Sequence, residues 1–293
     1  MLLLLKLQKQ FDLDKEFTDQ FIANALKEDV GDGDHTSLAT IPEGTMGKAK
    51  LLVKDHGILA GVELAVEIFN KVSPELKVNV FLQDGTLIKP KDIVLEVEGS
   101  VHCILKAERL VLNCMQRMSG IATKTHDIVD LLKGTNTQVL DTRKTTPGMR
   151  YLEKWAVRIG GGVNHRFGLY DMMLIKDNHV DYSGGIALAI ENAHQYISTL
   201  GKKLAIEIEV RNQDELDEVI KTGGVDRILL DNFNFADLKQ AVNIIEGRYI
   251  TEASGGITVD NVRDYANCGV DYVSIGALTH SVKCLDLSLK AVK

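Results

Sequence analysis

The sequence predicts an α/β protein: a small α+β unit followed by an incomplete βα barrel. Three observations lead there. After Gly134, short apolar runs alternate with helical stripes, the pattern of right-handed βαβ units on a parallel sheet. Nearly every one of those runs ends in polar residues, as barrel strands do at the rim that carries chemistry. Before Ser100 the rhythm differs, with turn signals between short strands. Six visible runs, with room for a seventh, suit an unclosed barrel better than a two-layer sheet. An open doubly wound sheet is the rival.

In chain order, Met1–Leu5 is apolar but too short for the core of a signal peptide, and Asp12, Asp14 and Glu16 follow it. No run approaches the length of a membrane span. Phe17, Phe21 and Ala25 form a helical stripe, with Thr18 as the candidate cap. In EDVGDGDHTS (28–37), Asp32 and Asp34 resemble the start of a calcium loop. Thr36 and Ser37 replace the third ligand and the glycine, and no Glu closes it, so the segment reads as a polar turn. Strands are expected at 48–53 and 57–61, a helix at Val62–Phe69, and strands at Val78–Leu82 and Ile93–Val97. From Ser100 onward Ile104, Ala107, Val111, Met115 and Met118 share a helical face. Ser119-Gly120 reads as an interruption before a second helix, Ile121–Leu132. This places the domains at 1–118 and 119–293, with a C-terminal helix able to pack back on the first. The barrel strands are expected at Gln138–Leu140, Met172–Ile175, Leu204–Ile208, Ile228–Leu230, Tyr249–Thr251 and Tyr272–Ile275. Ile186, Ala189, Ile190, Ala193 and Ile197 mark one intervening helix, Leu216, Val219 and Ile220 another, and Leu238, Ala241, Val242 and Ile245 a third.

With 293 residues, 45% hydrophobic and 26% charged, the chain has the composition of a globular enzyme. A net charge of −7 argues against a general nucleic-acid or membrane-surface binder. The cysteines show no metal or redox spacing, so reduced thiols in a cytoplasmic protein are expected. After Asp141, as far as His179, seven Lys and Arg face three Asp and Glu, a local charge of +4. A solvated basic face is the ordinary alternative. However, the charges sit in short blocks around Gly160-Gly161-Gly162, and two blocks follow strand-like runs, which suits an anion-holding site.

Asp141-Thr142-Arg143-Lys144, Lys176-Asp177-Asn178-His179, Glu209 with Arg211, Asp231-Asn232, Glu252 with Ser254-Gly255-Gly256, and Gly276 all stand at predicted strand ends. Small residues at Ser254-Gly255-Gly256 and Gly276 let backbone N–H groups approach a phosphate, although ordinary βα turns look the same. Glu209 and Asp231 could hold Mg²⁺ with waters, or cap a helix or pair with a nearby cation. Lys144 and Lys176 could be Schiff-base lysines, but Arg143 and Arg166 are forks suited to carboxylate or phosphate. His165 and His179 could serve as acid–base residues or as donors to an anion.

The blocks DTRKTTPGMR, GGGVNHRFGLYDMMLIKDNH, LLDN and EASGGIT, with ERLVLNCMQRMSGIAT (108–123) and EDVGDGDHTS, resemble the quinolinate phosphoribosyltransferase family along almost the whole chain. The resemblance implies an N-terminal α/β sandwich and a C-terminal incomplete, seven-stranded α/β barrel. It implies a head-to-tail homodimer with shared active sites. It also implies a Mg²⁺-dependent reaction in which quinolinate and phosphoribosyl pyrophosphate give nicotinate mononucleotide, pyrophosphate and CO₂, in NAD biosynthesis. On that footing Arg143, His165 and Arg166, supported by Thr142 and by Arg109 of the partner subunit, would hold quinolinate. Lys144 and Lys176 would balance phosphate charge, and Glu209 and Asp231 would hold the metal, partly through water and substrate phosphates. Ser254, Gly255, Gly256 and Gly276 would take the 5′-phosphate. Competing readings are a molybdenum-transport-associated paralogue, an aldolase-like Schiff-base barrel and a non-catalytic phosphometabolite sensor.

Overall fold

The structure, a computed structural model, describes residues 15–292, so Met1–Leu5, Asp12 and Asp14 lie outside the described residues. The chain forms two units. The first comprises residues up to Thr123, Pro147–Gly160 and the segment from Val282; the second comprises Lys124–Thr146 and Gly161–Ser281.

In the first unit, α1 (Lys15–Val30) and α2 (His35–Thr40) precede β1 (Met46–Val53) and β2 (Gly57–Ile58). Then come α3 (Val62–Val72), β3 (Lys77–Val80), β4 (Leu87–Ile88) and β5 (Ile93–Ser100). Alternation buries Ala49, Leu51 and Val53 on one face of β1. Leu64, Ala65, Ile68 and Phe69 give α3 a fully buried stripe. Thr18, expected as a cap, is buried inside α1 one turn before Ile22. The polar turn ends in a cap instead: the Asp34 side chain accepts the Ser37 N–H at 3.1 Å and opens α2.

Two expectations fail here, both for tertiary reasons. Ser119-Gly120 does not interrupt, because α4 runs unbroken from Val101 to Leu131. A helical glycine costs about 1 kcal/mol against alanine, and packing outweighs that. The Ser119 hydroxyl receives the Ala60 N–H at 2.9 Å. A Cβ on Gly120 would sit 2.3 Å from the Lys283 carbonyl oxygen. The chain's end is a strand rather than a helix: β12 (Leu287–Ala291) joins β1 antiparallel with Leu51 opposite Leu289. The sheet order is β12-β1-β5-β3. The first unit also contains α5 (Arg150–Ile159), whose Glu153 is fully buried and accepts from Arg117 Nε at 2.7 Å. The basic stretch is therefore divided, with Arg150, Lys154 and Arg158 in the first unit and Arg143, Lys144, Arg166 and Lys176 in the second.

The second unit holds β6 (Gln138–Leu140), β7 (Met173–Ile175), β8 (Ile206–Val210), β9 (Arg227–Asp231), β10 (Ile250–Ser254) and β11 (Tyr272–Ser274). All are parallel, in the order β6-β11-β10-β9-β8-β7. Its other helices are α6 (Asp177–Ser183), α7 (Ile186–Leu200), α8 (Gln213–Thr222), α9 (Phe235–Ile245), α10 (Val262–Asn267) and α11 (Ala277–His280). Beyond β6 a single parallel bridge joins Leu140 to Val163. This is an incomplete α/β barrel of six strands, and that bridge stands where a seventh would lie. Asn212 and Asn234 cap α8 and α9, accepting from Glu215 and Asp237 N–H, each at 3.0 Å.

The close approach at Gly120 makes a direct prediction. Gly120→Ala should destabilise by about 1–3 kcal/mol through overpacking, read as a lower Tm in thermal unfolding. An unchanged Tm would show that the Lys283 segment yields freely.

Candidate active site

Parallel register turns sequence spacing into a ring of side chains. Ile175 pairs with Ile208, Glu209 with Leu229, and Asp231 with Ser254, so side chains two apart on each strand share a face. Lys176 after β7, Glu209 on β8, Asp231 on β9 and Ser254 on β10 thereby meet at the C-terminal strand ends. Lys176 Nζ donates to Glu209 Oε2 at 2.6 Å, and the Glu209 side chain is 8% exposed. Asp231 accepts from the Ser254 hydroxyl and from the Asn232 side-chain amide, the latter at 2.6 Å.

The loop after β10 needs its glycine. Gly255 has φ +94°, and a Cβ there would lie 2.1 Å from Asn232 Oδ1 and 2.9 Å from Asn232 N. At Gly276 a Cβ would lie 2.9 Å from Lys144 Cδ, so the Lys144 stem runs over that loop. Lys144 is fixed by its backbone: its N–H donates to Thr142 Oγ1 at 3.0 Å, and its carbonyl accepts from the Thr279 hydroxyl at 2.9 Å. The helix after this loop, α10, begins at Val262, and Asn261 Oδ1 receives the Thr258 N–H at 2.7 Å.

Between β6 and β7 an irregular turn carries His165 and Arg166. Fully buried Asp141 accepts the His165 N–H at 2.9 Å and the Asn164 amide at 2.6 Å. Asp171 accepts the N–H groups of Phe167 and Gly168 at 2.6 and 2.7 Å. Arg166 Nη1 donates to the Met172 carbonyl at 3.2 Å. Burial, and the positive charge of Arg143 close by, lower the pKa of the Arg166 guanidinium.

Beneath the rim lies a buried charged layer. His165 Nε2 is 3.0 Å from Glu207 Oε2 and 3.4 Å from Glu252 Oε2, and both glutamates are fully buried. Arg227 Nη1 donates to Glu252 Oε2 at 3.0 Å, and Arg227 Nε is 3.9 Å from Glu207 Oε1. Burial opposes charge on His165, but Glu252 and Glu207 outweigh it and raise its pKa to about 9. Burial, then Glu252, also raise Glu207; burial opposes the change at Glu252, yet His165 and Arg227 lower it to about 2. The Arg166 N–H donates to His165 Nδ1 at 2.7 Å. In the neutral ring Nδ1 is therefore the bare nitrogen, and the proton bound below about pH 9 is shared with the carboxylates on the Nε2 side.

Thr142, Arg143, Lys144, His165, Arg166, Lys176, Glu209, Asp231, Ser254, Gly255, Gly256 and Gly276 all belong to the second unit. Arg109 is an exposed residue of α4 in the first. The His165 ring faces the buried carboxylates and is 7% exposed, so its nitrogens are engaged below the rim. His179 Nδ1 accepts the Lys176 N–H at 2.9 Å at the start of α6, and Arg211 pairs with Asp181 and Glu215. Glu207, Arg227 and Asn164 escaped the sequence reading, and Glu252 was placed at the rim. Glu207 and Glu209 alternate identically with isoleucines, so periodicity reports two acids on one face without their depth. His280, whose ring lies against Gly276, gave no signal beyond its type.

Glu209 and Asp231 offer hard oxygen donors that fit Mg²⁺ in kind. Among the described residues the metal-capable triad is His165, Glu207 and Glu252, which Arg227 already neutralises, so it does not extend that pair. Water and phosphate oxygens would have to complete a Mg²⁺ shell.

An incomplete α/β barrel whose C-terminal rim is lined by cations and carboxylates defines an enzyme that handles phosphorylated or carboxylated small molecules. Family models of the quinolinate phosphoribosyl transferase N-terminal domain and C-terminal domain match residues 34–119 and 121–290, and the chain belongs to that family. It is 44% identical over 281 residues to quinolinate phosphoribosyltransferase [decarboxylating] 2, mitochondrial, of Nicotiana glauca, covering 91% of this chain and 80% of the relative. It is 40% identical over 262 residues to a probable nicotinate-nucleotide pyrophosphorylase [carboxylating] of Bacillus subtilis, covering 89% of each. The solved structure of NadC from Streptococcus pyogenes superposes with a TM-score of 0.90 at 37% identity, covering 96% of this chain and 99% of that one.

The cluster also predicts a pH dependence. A folded-state pKa of about 9 lies above the unfolded histidine value, so the native state binds more protons between the two values. That stability is fully present below the unfolded value and is lost as pH rises through about 9. Tm measured from pH 6 to 10 should fall across the upper half of this range; a flat profile would place the proton elsewhere.

Proposed function

We propose that this chain carries out its family's reaction: phosphoribosyl transfer from phosphoribosyl pyrophosphate to quinolinate with decarboxylation, giving nicotinate mononucleotide, pyrophosphate and CO₂. The observation that carries the proposal is the strand-end rim itself, where Lys176 pairs with Glu209 at 2.6 Å, Asp231 accepts from Ser254, and the Lys144 stem runs over the Gly276 loop. A dicarboxylate suits the Arg143 and Arg166 forks, and a pyrophosphate uses the lysines. The names of the relatives favour this reading over the paralogue, aldolase and sensor alternatives. Lys176 ion-paired with Glu209 also suits a phosphate-binding cation better than an amine nucleophile.

In this reading Arg143 and Arg166, supported by Thr142, clamp the quinolinate carboxylates and aim the ring nitrogen at C1′. His165 supports the turn that carries Arg166. Lys144 and Lys176 bind pyrophosphate and phosphate oxygens, while Ser254, Gly255, Gly256 and Gly276 cradle the 5′-phosphate. Mg²⁺, held through Glu209 and Asp231, would offset the charge of the departing pyrophosphate. As pyrophosphate leaves, Glu209 and Asp231 face the oxocarbenium-like sugar and stabilise it electrostatically. The ring nitrogen attacks C1′ and becomes positively charged. The C2–carboxylate electron pair then stays on the ring as CO₂ departs, and a proton takes the vacant position. No covalent enzyme intermediate is needed.

A homodimer in which Arg109 of the partner subunit completes the dicarboxylate site fits the exposure of Arg109. Four free thiols and an acidic chain fit a reducing, cytoplasmic setting.

With quinolinate, phosphoribosyl pyrophosphate and Mg²⁺ supplied, CO₂ and pyrophosphate should appear in equal amounts. Pyrophosphate without CO₂ would assign a different acceptor. Arg109→Ala and Lys144→Ala proteins, each inactive, should regain partial activity when mixed, and verified mixed dimers that stay inactive would refute the shared site.

A further inference from the structure

Barrel interiors are ordinarily filled by branched apolar side chains. This one contains a layer of two glutamates, an arginine and a histidine. Glu207 and Glu252 are fully buried on β8 and β10, with Arg227 between them on β9. Charges so placed are costly unless each is paired, and the pairing here has a direction. The Arg227 guanidinium lies 4.8 Å from the Tyr272 ring centroid, donates to Glu252 Oε2 through Nη1 at 3.0 Å and brings Nε to 3.9 Å from Glu207 Oε1. A planar fork fixes the separation of the two acids in a way an ammonium cannot. Both carboxylates then approach the same atom, His165 Nε2.

With Nε2 facing acceptors, the ring hydrogen belongs there and the Nδ1 lone pair is left to receive the Arg166 N–H. The opposite tautomer would set one N–H against another at 2.7 Å and push the turn away. The same turn delivers the Arg166 guanidinium, steadied by the Met172 carbonyl. We propose that Arg227, Glu207 and Glu252 are positioning residues for dicarboxylate binding: they set the tautomer of His165, and His165 sets the turn that aims Arg166. This deepens the proposed function and rests on it.

The test begins with wild-type turnover of quinolinate and continues with Glu207→Gln, Arg227→Lys and Arg227→Met. Glutamine keeps the shape of Glu207 but can offer an N–H to Nε2. Glu207→Gln should raise the KM for quinolinate about tenfold, with the KM for phosphoribosyl pyrophosphate and kcat within about threefold of wild type. ¹⁵N spectra of histidine-labelled protein without substrate, recorded above pH 9 where the ring is neutral, should show Nδ1 of His165 bare in wild type and protonated in Glu207→Gln. Arg227→Lys should recover part of the quinolinate affinity lost in Arg227→Met; if the latter does not fold, Glu207→Gln alone decides. Both KM values rising together, an unchanged quinolinate KM, or an unchanged tautomer would each overturn the proposal. A folded wild type that leaves quinolinate untouched refutes the functional reading, and the spectra then show separately whether the charged layer governs the ring.

Discussion

Two carboxylates removed from water, Glu207 and Glu252, set the terms for the second unit. Neither can stay ionised there alone, so Arg227 and His165 are drawn against them, and the turn around Asn164 follows His165. The rim acids lie two residues further along: Glu209 follows Glu207 on β8, and Asp231 follows Leu229 on β9. At a strand rise of about 3.3 Å per residue, that step is about 7 Å. It separates a fully buried charged layer from the strand-end layer, where Lys176 pairs with Glu209 and Asp231 accepts from Ser254 and Asn232.

The first unit obeys a different constraint, close backbone approach. Ser119 and Gly120 in the middle of α4 are where the loop after β2 and the segment before β12 come against the helix. A larger residue at Gly120 would gain helix propensity and lose the contact. Glu153 on α5 is fully buried, and Arg117 of α4 donates to it. In both units the least typical residue of an element marks where another part of the chain docks.

Those residues also explain what the sequence disclosed and what it withheld. The six barrel strands were legible because central parallel strands are covered on both faces and read as bare apolar runs; each was located to within three residues at either end. The set of rim residues was legible because strand ends in a barrel converge. Thr18, Ser119-Gly120 and β12 were misread because their local signals are ordinary and only long-range contacts decide them. The direction of the His165 ring was hidden for the same reason: nothing near residue 165 announces two glutamates more than forty positions downstream. Division of the basic stretch between the two units could not be seen either, since α5 has a normal amphipathic pattern and its allegiance depends on packing.

An unclosed barrel leaves strands with one side unpaired, and both border strands here are short. Strands β8, β9 and β10 have five residues each, while interior β11 and the border strands β6 and β7 have three. A three-residue border offers few free donors and acceptors to an incoming strand. Truncation at the borders therefore limits edge-to-edge pairing while the opening persists. Lengthening either border strand would invite fibrillar self-addition before it completed the ring.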